Sequence, residues 1–506
     1  MVKETLKAPY SQYLLDSELS REVDRKTISK MGIEGFTLME IAGLSAAKHL
    51  LQAHENLSHG VYLCGKGNNC GDALVVARYL MQHDSKATLV FLDGIENLSP
   101  DAEKNLELLQ NFSTGKQVTI FERWNDFQEG AEFDFIIDGM LGTGLTSEVR
   151  GDYQNAVAWA NEQSAPTFSM DIPTGLHSDS GKIMGSAVEA DKTFAFGGMK
   201  QGFYLNEGPR LTGLVYYCEL PFPNTYKEKC STFLLDENWV PMERPNPGKH
   251  KYDSGVLYIV AGSEGLTGAA IMAAESAWAE GPGAVILVCP RGVLSVYEHN
   301  LPSIIKRSVG SRDDFCFKEE HTEKVLDIVN EKKGKVLLGP GLGRDASTTA
   351  FVEQFLSHNN WDTVIDADGL WCLSQLSEFK KPREVEWILT PHPGELQKLL
   401  KKDVSDDSDR LQKAREFSTK HKLTLLSKGM PGIVGTPSGK CYLTNYNTRY
   451  FARAGSGDVL AGKIGAYLAM EFASDQSCAM ALLRGKQKLD YYLQHYDGIP
   501  EPLDFV

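Results

Sequence analysis

Short apolar runs, each followed by a glycine-rich or acidic loop and then by a helical stretch, recur along this chain of 506 residues. Residues 60–64 (GVYLC) and 256–261 (VLYIVA) open two such series. Runs of this length alternating with helices indicate parallel sheets that are covered by helices on both faces. The remaining runs lie at residues 87–92, 133–137, 167–170, 284–289, 335–338, 363–365, 387–389 and 423–426. Ligands bind at the carboxyl ends of the strands in such sheets, so the loops after these runs are the candidate sites.

The alternation stops once, over residues 221–252, which are rich in Pro, Asn, Lys and Glu and carry little apolar periodicity. That composition is typical of a linker or a domain boundary. A chain of this length also exceeds what one hydrophobic core usually holds. We therefore expect an α/β protein with two doubly wound three-layer α/β/α domains, at residues 1–221 and 222–506.

Composition and net charge limit the kinds of binding partner and the cellular compartment that we expect for this protein. The formal net charge is −15 and no Lys/Arg-rich run occurs, which argues against binding of nucleic acid. The nine cysteines are scattered without a C-x-x-C pair, as in a protein that keeps its thiols reduced. Because no signal-peptide pattern and no apolar run of ~18 residues is present, the sequence predicts a cytoplasmic protein without a membrane anchor. Its repeated apolar helices favour assembly into a homo-oligomer.

The first glycine-rich loop, residues 65–72 (GKGNNCGD), follows a strand and precedes a helix, where backbone amides bind anionic oxygens. It lacks the closing Lys-Ser/Thr of a Walker A motif, and Cys70 stands at the third glycine of G-x-G-x-x-G. Asp138 and Asp171 follow or end the next strands and should converge on this loop. Each piece alone is typical of a βα turn with an aspartate cap, but the three together indicate a binding site.

Four segments carry a specific resemblance: residues 35–43 (GFTLMEIAG), 65–72, 138–146 (DGMLGTGLT) and 169–175 (SMDIPTG). They resemble the NAD(P)H-hydrate epimerase domain, the YjeF N-terminal family, over residues 13–220. The resemblance implies a Rossmann-like fold that binds hydrated NADH or NADPH and a potassium ion. It assigns hydrate binding to Asn68, Asn69, Cys70, Gly71, Asp72, Gly142, Thr143, Gly144, Leu145, Thr146, Ser147, Glu148 and Asp171.

Within that resemblance Asp171 contacts the nicotinamide end as the acid/base, while Asn69, Asp138 and Thr174 bind potassium through hard oxygen ligands. The hydrate carries a hydroxyl on C6 beside a ring nitrogen, so inverting that carbon requires the C–O bond to break and reform with proton transfer. The family usually has glycine at Cys70 and serine at Thr174. Thr174 keeps the hydroxyl, whereas Cys70 adds a side chain where close backbone approach is expected.

Near the end of the chain, residues 453–462 (RAGSGDVLAG) place a glycine-rich turn and one carboxylate, Asp458, at the start of an apolar helix. This arrangement combines an anion cradle with a candidate base. His392 alone would be typical of a structural histidine, but prolines on both sides and Glu395 fix it on a strand-end loop. Lys428, between an apolar strand and a glycine, is interpreted as a counter-charge for phosphate.

The GSGD loop resembles that of ribokinase-like enzymes, in which the aspartate deprotonates a hydroxyl that attacks a nucleotide's terminal phosphate. Together with residues 261–269, 339–345, 366–370, 390–395 and 427–429, it resembles the NAD(P)H-hydrate dehydratase domain, the YjeF C-terminal family, over residues 234–495. The resemblance implies that Asp458 activates the C6 hydroxyl. ADP with magnesium (ATP in eukaryotic relatives) phosphorylates this hydroxyl, and elimination of phosphate restores the C5=C6 double bond. It assigns hydrate binding to Ala269, Gly343, His392 and Asp458, and nucleotide binding to Lys428, Gly429, Met430, Pro431, Gly432 and Gly457.

The leading interpretation is a bifunctional metabolite-repair enzyme that epimerises the R and S hydrates and dehydrates the S form. Two alternatives stay open at this point. The C-terminal half could be a ribokinase-like kinase of a sugar or vitamin precursor, and the N-terminal half could be a non-catalytic binding or oligomerisation module. A further departure lies at residues 428–432 (KGMPG), where the family usually has Lys-Gly-Ala-Gly-Thr. A threonine hydroxyl is missing there, so weaker nucleotide affinity is expected.

Overall fold

The computed structural model describes residues 5–54, 56–113, 117–127, 132–242, 252–376 and 381–506. The chain divides into two units, which we call the N-terminal unit and the C-terminal unit. The N-terminal unit runs from Pro9 to Thr232. The C-terminal unit runs from Phe233 to Val506 and includes the stretch before Pro9.

The N-terminal unit is built around one parallel sheet. Its strands are β1 (Leu14–Leu15), β2 (His59–Cys64), β3 (Lys86–Phe91), β4 (Val118–Phe121), β5 (Phe135–Gly139), β6 (Thr167–Met170), β7 (Lys192–Phe196), β8 (Met199–Lys200) and β9 (Leu214–Cys218). Seven of them form the sheet in the order β4-β3-β2-β5-β6-β7-β9, with every neighbouring pair parallel, and β1 pairs separately with β8. The chain builds outward in both directions from the central pair β2 and β5, so the carboxyl ends of these two strands form the switch point of the sheet.

Helices cover both faces of this sheet. They are α1 (Ser17–Lys26), α2 (Gly35–Ala53), α3 (Asn68–Met81), α4 (Pro100–Phe112), α5 (Asp152–Glu162) and α6 (Gly208–Leu211). Alternate residues of β2 point to opposite faces, as the pleat requires. Tyr62 packs with Leu74 of α3 on one face, and Leu63 packs with Val157 of α5 on the other. The unit is therefore a three-layer α/β/α sandwich.

The C-terminal unit repeats this plan on a larger sheet. Its strands are β10 (Thr232–Leu234), β11 (Val256–Val260), β12 (Ala284–Pro290), β13 (Ile305–Val309), β14 (Lys335–Leu338), β15 (Thr363–Ile365), β16 (Trp387–Leu389), β17 (Thr424–Ser427), β18 (Ile433–Gly435) and β19 (Cys441–Leu443). The order is β10-β19-β18-β17-β16-β15-β14-β11-β12-β13, parallel from β17 to β13 and antiparallel across β17, β18 and β19. The adjacent pair β11 and β14 marks the switch point here.

Nine helices are described in this unit: α7 (Thr267–Ala279), α8 (Leu294–Asn300), α9 (Thr322–Asn330), α10 (Ala346–Ser357), α11 (Asp368–Gln375), α12 (Pro393–Leu400), α13 (Asp407–His421), α14 (Ser456–Ala469) and α15 (Ser474–His495). A buried group fixes α7 against α14: Lys463 Nζ donates to Glu280 Oε1 at 2.5 Å, and Tyr467 donates to the other carboxylate oxygen. Glu280 directly follows α7 and the other two lie on α14. The two helices therefore keep a fixed relation beside the strand-end loops.

The α/β fold class predicted from the sequence is confirmed. All ten apolar runs are strands, and Thr167–Met170, Lys335–Leu338, Thr363–Ile365 and Trp387–Leu389 agree to the residue. Within the predicted linker at residues 221–252, the structure describes β10, whereas residues 243–251 lie outside the described part. No helix in the described part of the chain combines the length and apolarity needed to cross a membrane.

Candidate active sites

In the N-terminal unit, the first glycine-rich loop and the end of β5 meet at the switch point. Helix α3 starts at Asn68, and Asn69 Nδ2 donates to the carbonyl of Leu141, in the loop after β5, at 3.3 Å. A Cβ on Gly139 would lie 2.6 Å from the Cβ of Ala73 and 3.0 Å from the carbonyl oxygen of Asn69. Only glycine allows this close approach of strand and helix. The predicted segments 68–72 and 142–148 therefore meet at one edge of the sheet, as the motif spacing predicts.

Asp138 is the fully buried centre of that edge. Its carboxylate accepts hydrogen bonds from Thr174 N (2.8 Å), Thr174 Oγ1 (2.7 Å), Ser169 Oγ (2.9 Å) and Met140 N (3.2 Å). Burial raises the pKa of Asp138, and these donors act in the opposite direction. Nearby, Asn69 Oδ1 is buried and has no hydrogen-bond partner among the described residues. Carboxylate, hydroxyl and an orphaned amide oxygen are an oxygen-only donor set that fits a hard cation.

Asp171 stands apart from this cluster, on a strained turn after β6. Its φ is +59°, which is uncommon for a residue with a side chain. Its Oδ1 accepts from the backbone N–H of Phe196 at 3.1 Å and forms an ion pair with Lys200, whose side chain is 3% exposed. Lys200 also donates to the carbonyls of Gly198 (3.0 Å) and Phe196 (3.4 Å). An ammonium group has three N–H donors, so the bonds to Asp171, Gly198 and Phe196 use all the donors of Lys200.

Lys200 was not predicted from the sequence. A lysine two residues after Gly197-Gly198 carries no motif of its own, and its partner Asp171 lies 29 residues earlier. Lys200 lies in β8, where it pairs with Leu15 of β1. The only sequence signal was the glycine pair itself, which permits a sharp turn after β7.

Cys70 does not enter the cradle, contrary to what we expected of its side chain. It is fully buried in the core cluster that also contains Ala73 and Leu74, and its thiol is hydrogen-bonded to Cys64. This hydrogen bond, followed by burial, raises the pKa of the Cys70 thiol well above its usual range. The physical reason is the helix: Cys70 lies on the face of α3 that packs on the sheet. Of the other predicted cradle residues, Asn68 is exposed and accepts from Ser99 Oγ at 2.9 Å, while most of residues 142–148 are open to solvent.

The C-terminal unit brings Asp458, Lys428 and Asp366 together at the carboxyl ends of its strands. Asp458 lies in the first turn of α14, after Gly455 with its φ of +100°. Lys428 Nζ donates to Asp366 Oδ1 at 2.7 Å, and Thr390 Oγ1 donates to the same oxygen at 2.7 Å. A Cβ on Gly457 would lie 3.2 Å from Lys428 Nζ and 3.9 Å from Asp366 Oδ2. The start of α14 therefore faces a paired lysine and a buried carboxylate.

The charges around Asp458 change how it titrates. Burial raises its pKa to about 7, with Asp366 as the next contribution, while Lys428 acts in the opposite direction. Burial acts to lower the pKa of Lys428. The carboxylates of Asp366 and Glu395 have a larger effect in the opposite direction, so the pKa of Lys428 is raised. At neutral pH the site thus combines a carboxyl that exchanges its proton readily with a permanent cation. That is the combination that general base catalysis beside a phosphate requires.

His392 caps the start of α12 and keeps one side of its ring free for solvent. Its Nδ1 accepts from Gly394 N at 3.1 Å, and its own backbone N–H donates to Glu395 Oε2 at 2.9 Å. The side chain is 57% exposed, and His392 lines the same cavity as Lys428 and Asp458. The local fold explains the position, because Pro393 at the first helical residue and the reciprocal cap fix the loop.

Ala269 and Gly343 lie on the other side of this site. A Cβ on Gly341 would be 3.2 Å from the Cβ of Ala269, so the loops after β11 and β14 touch. Gly343 N donates to Asp368 Oδ2 at 3.0 Å, and Asp368 also raises the pKa of Asp458. Neither Ala269 nor Gly343 lines the cavity that contains Lys428. The structure therefore separates the predicted hydrate-binding residues into two neighbouring groups.

The Lys428 loop, residues 428–432, is held from beneath by Arg410 of α13, which is 3% exposed. Its guanidinium donates to the carbonyls of Ser427 (3.3 Å), Lys428 (3.3 Å) and Pro431 (2.7 Å) and pairs with Asp407 at 2.9 Å. Gly429 has a φ of +143°, and a Cβ there would lie 2.9 Å from Arg410 Nη1. Arg410 therefore explains why glycine is needed at 429, and it too was not predicted, because 18 residues separate it from Lys428.

Two threonines from other segments supply hydroxyls to this loop. Thr448 Oγ1 donates to the carbonyl of Gly429 at 2.8 Å, and Thr444 Oγ1 accepts from Gly432 N at 2.8 Å. Both hydroxyls come from outside residues 428–432, where the sequence lacks a threonine. Gly429, Gly432 and Thr448 border a cavity of about 510 Å³ whose further lining is mainly apolar, with Tyr446, Phe451, Leu482 and Phe505.

A third cluster of possible metal ligands lies away from both sites. The ligand atoms of Asp314, Glu320 and His321 lie within 4.8 Å of one another. Asp314 already accepts from Ser311 N at 2.6 Å and is paired with the ammonium of Lys318. His321 Nδ1 accepts from Lys318 N at 3.2 Å, which leaves the ring proton on Nε2, facing Asp314 at 3.5 Å. The ammonium group of Lys318 already pairs with Asp314, so we assign the cluster a structural role.

Two family models match the chain, one in each unit. A family model described as NAD(P)H-hydrate dehydratase matches residues 257–500, and one described as the N-terminus of YjeF-related proteins matches residues 35–202. A bifunctional NAD(P)H-hydrate repair enzyme of Salinibacter ruber is 33% identical over 505 residues, 96% of this chain and 93% of that protein. A protein of the same description from Thermofilum pendens is 28% identical over 462 residues, 91% of this chain and 88% of that protein.

Among solved structures, an ADP/ATP-dependent NAD(P)H-hydrate dehydratase of Bacillus subtilis, co-crystallised with ATP and Mg²⁺, matches with a TM-score of 0.46 and 22% identity. The match covers 54% of this chain and 94% of that one.

The chain belongs to the family of bifunctional NAD(P)H-hydrate repair enzymes, which join an epimerase domain to a dehydratase domain. The match of residues 257–500 to the dehydratase model decides against a kinase of a sugar or vitamin precursor. The family assigned from the sequence motifs is thereby confirmed.

Proposed function

We propose that the C-terminal unit dehydrates the S hydrate of NADH or NADPH at the site around Asp458. The observation that carries this proposal is the position of Asp458 at the start of α14, beside the Lys428–Asp366 ion pair, with its pKa raised to about 7. Asp458 takes the proton of the C6 hydroxyl, and the hydroxyl oxygen attacks the terminal phosphorus of the nucleotide. Lys428 and the amide groups at the start of α14 stabilise the charge that develops on the phosphate oxygens.

Phosphorylation matters because hydroxide is a poor leaving group and phosphate is a good one. The C6–O bond then breaks with its electrons on the departing phosphate, a proton leaves C5, and the C5=C6 double bond is restored. Ala269, Gly343 and His392 would contact the hydrate, and Lys428, Gly429, Met430, Pro431, Gly432 and Gly457 would bind the nucleotide. We propose ADP as the phosphoryl donor.

We propose that the N-terminal unit interconverts the R and S hydrates, with Asp171 as the acid/base and the segments 68–72 and 142–148 as the cradle. The support is the Asp171–Lys200 pair at the end of β6, next to the switch point where α3 begins. Because Cys70 points into the core, it leaves the cradle surface unobstructed. This argues against the alternative of a non-catalytic module.

Two cations fit the residues present. Asn69, Asp138 and Thr174 would hold potassium, which would supply a fixed positive charge near the cradle, and the orphaned Asn69 Oδ1 supports that assignment. Magnesium usually keeps water ligands and binds through one or two carboxylates together with substrate phosphates. Asp366, which is paired with Lys428 through Oδ1, would supply its Oδ2 as such a carboxylate oxygen, and magnesium would there neutralise phosphate charge.

The potassium assignment can be tested by measuring the melting temperature of the protein. Potassium chloride, compared with choline chloride at equal ionic strength, should raise the melting temperature of the wild-type chain, because a ligand of the folded state stabilises it. Asn69→Leu should remove that increase. An equal increase in both proteins would contradict the assignment.

We place the functional division at residues 1–221 and 222–506, and we propose a cytoplasmic homo-oligomer. The test of the whole proposal uses the purified chain with both epimers of hydrated NADH and either ADP or ATP, following the return of nicotinamide absorbance. We expect both epimers to be recovered. No recovery with either nucleotide would overturn the dehydratase assignment, and recovery of R at only its spontaneous rate would overturn the epimerase assignment.

A further inference from the structure

Asp72, in the first turns of α3, is a buried carboxyl group without a partner. Its residue is 9% exposed, and no hydrogen bond or ion pair reaches its carboxyl in the described part of the chain. Asp138, which is fully buried, receives four hydrogen bonds. Leaving a carboxylate in such surroundings unpaired is costly, so a group of this kind keeps its proton. Burial accordingly raises the pKa of Asp72 well above its usual range.

The carboxyl group of Asp171 has the opposite surroundings. Asp171 accepts from Phe196 N at 3.1 Å and is paired with Lys200, whose three donors are all used within the protein. The two groups are close enough that Asp171 raises the pKa of Asp72 further while Lys200 acts in the opposite direction. A carboxyl group without a hydrogen-bond partner, near one that is held by a cation, is an arrangement in which an acid and a base can act together.

We propose that Asp72 is a second catalytic residue of the epimerase, the general acid that protonates the departing C6 oxygen while Asp171 acts as the base. This inference rests on the epimerase function proposed above. In the step, the C6–O bond breaks with both electrons on oxygen, the proton of Asp72 passes to that oxygen, and water leaves as the ring nitrogen forms a C=N bond. Water then adds to C6 from the other face and gives a proton to Asp171. Exchange with solvent removes this proton and returns one to Asp72 before the next turnover.

The charges facing Asp72 make the step pH-dependent. They come from Asp171 after β6, Lys200 of β8, Asp24 of α1, the Cys70 thiol on α3 and the Cys218 thiol of β9. An acid has to be protonated before the reaction, so the epimerase rate should fall as the pH rises through the raised pKa of Asp72. The opposite trend, a rate that rises continuously with pH, would mean that Asp72 acts only in its ionised form.

The experiment measures conversion of the R hydrate of NADPH to the S hydrate by chromatography, without nucleotide and after subtraction of the spontaneous rate. It compares the full-length wild type with Asp72→Asn, Asp171→Asn and, as a matched control, Glu107→Gln on the exposed face of α4. We expect Asp72→Asn to lower kcat by roughly 10²-fold with KM changed by less than about threefold, since an amide keeps the shape but cannot give a proton. Glu107→Gln should behave as the wild type.

Dehydration of the S hydrate by the same preparations checks that each chain is active at its other site. Wild-type kcat in Asp72→Asn, or a raised KM with unchanged kcat, would overturn the catalytic role of Asp72 while leaving the epimerase function intact. A wild type that dehydrates the S hydrate without accelerating epimerisation would overturn the epimerase function itself, and this proposal with it.

Discussion

At the scale of single residues, four buried or half-buried aspartates differ in how the protein satisfies their charge. Asp138 is surrounded by donors, Asp171 is paired with Lys200, and Asp72 is left without a partner. Burial, followed by the nearby carboxylate of Asp366, raises the pKa of Asp458 to about 7, while Lys428 acts in the opposite direction. These differences come from residues that are distant in sequence, and they assign a different role to each carboxyl group.

The pKa of Asp458 predicts the pH dependence of dehydration. Asp458 has to be ionised to accept the hydroxyl proton, so kcat/KM for the S hydrate should fall tenfold per pH unit below about pH 7. The measurement is the initial rate of dehydration from pH 5.5 to 9 with saturating nucleotide. A rate that is independent of pH across this range would contradict the role of Asp458 as the base.

Asp458 should also reduce stability. Its pKa is about 7 in the folded chain against 3.8 for the free group, so the folded state binds the proton more tightly. Stability is therefore lost as the pH rises from about 4 through 7, and Asp458→Asn should recover roughly 1 to 3 kcal/mol of unfolding free energy at pH 8.5. Denaturant unfolding of the C-terminal unit at pH 8.5 and pH 4.5 measures this. A variant that is no more stable than the wild type at pH 8.5 would contradict a destabilising effect of the ionised Asp458.

Sequence motifs revealed the carboxyl groups and Lys428, but not the side chains that position them. Lys200 and Arg410 are single basic residues in ordinary surroundings, 29 and 18 residues from their partners. Only the folded chain shows that Lys200 is 3% exposed against Asp171, or that Arg410 lies beneath the carbonyls of the Lys428 loop. A lysine or arginine acquires such a role through burial, which a local pattern does not encode.

At the scale of elements, strands that are buried on both faces gave the clearest signal. β6, β14, β15 and β16 are of this kind and therefore give continuous apolar runs. Strands β4, β9 and β13 lie at sheet edges and are largely half-buried or exposed, so their signal is weak. The interior strands β7, β18 and β19 were also not predicted. The candidate sites lie at the carboxyl ends of central strands, which explains why their loops could be located from the sequence.

Helix α13 acts on the nucleotide site through Arg410. Arg410→Lys keeps the charge, but a single ammonium cannot match the planar fork that contacts Ser427, Lys428 and Pro431. The Lys428 carbonyl is then released, and the next peptide N–H loses its fixed direction. We expect KM for the nucleotide to rise about tenfold, a loss near 1.4 kcal/mol, with a smaller change in kcat.

Steady-state dehydration at varied nucleotide concentration measures this effect. Lys420→Met, on the exposed side of the same helix, serves as the control and should leave both constants unchanged. Epimerisation by Arg410→Lys should also stay at the wild-type level. An unchanged KM for the nucleotide in this variant would contradict the positioning role of Arg410.

At the scale of the whole molecule, each unit contains its own sheet, its own switch point and its own set of carboxyl groups. The first unit would act on the configuration at C6 and the second on the hydroxyl carried by that carbon. Because the S hydrate can diffuse from one site to the other, the two chemistries need not share any residue.

The most direct test mixes two single variants, each of which lacks one site. Asp171→Asn should dehydrate only the S hydrate, and Asp458→Asn should epimerise without dehydrating. With the R hydrate and ADP, neither variant alone should regenerate NADPH above the spontaneous rate, whereas an equimolar mixture should approach the wild-type rate. If either single change abolished both activities, or if the mixture failed to restore recovery, the two sites would not be independent and the account would be wrong.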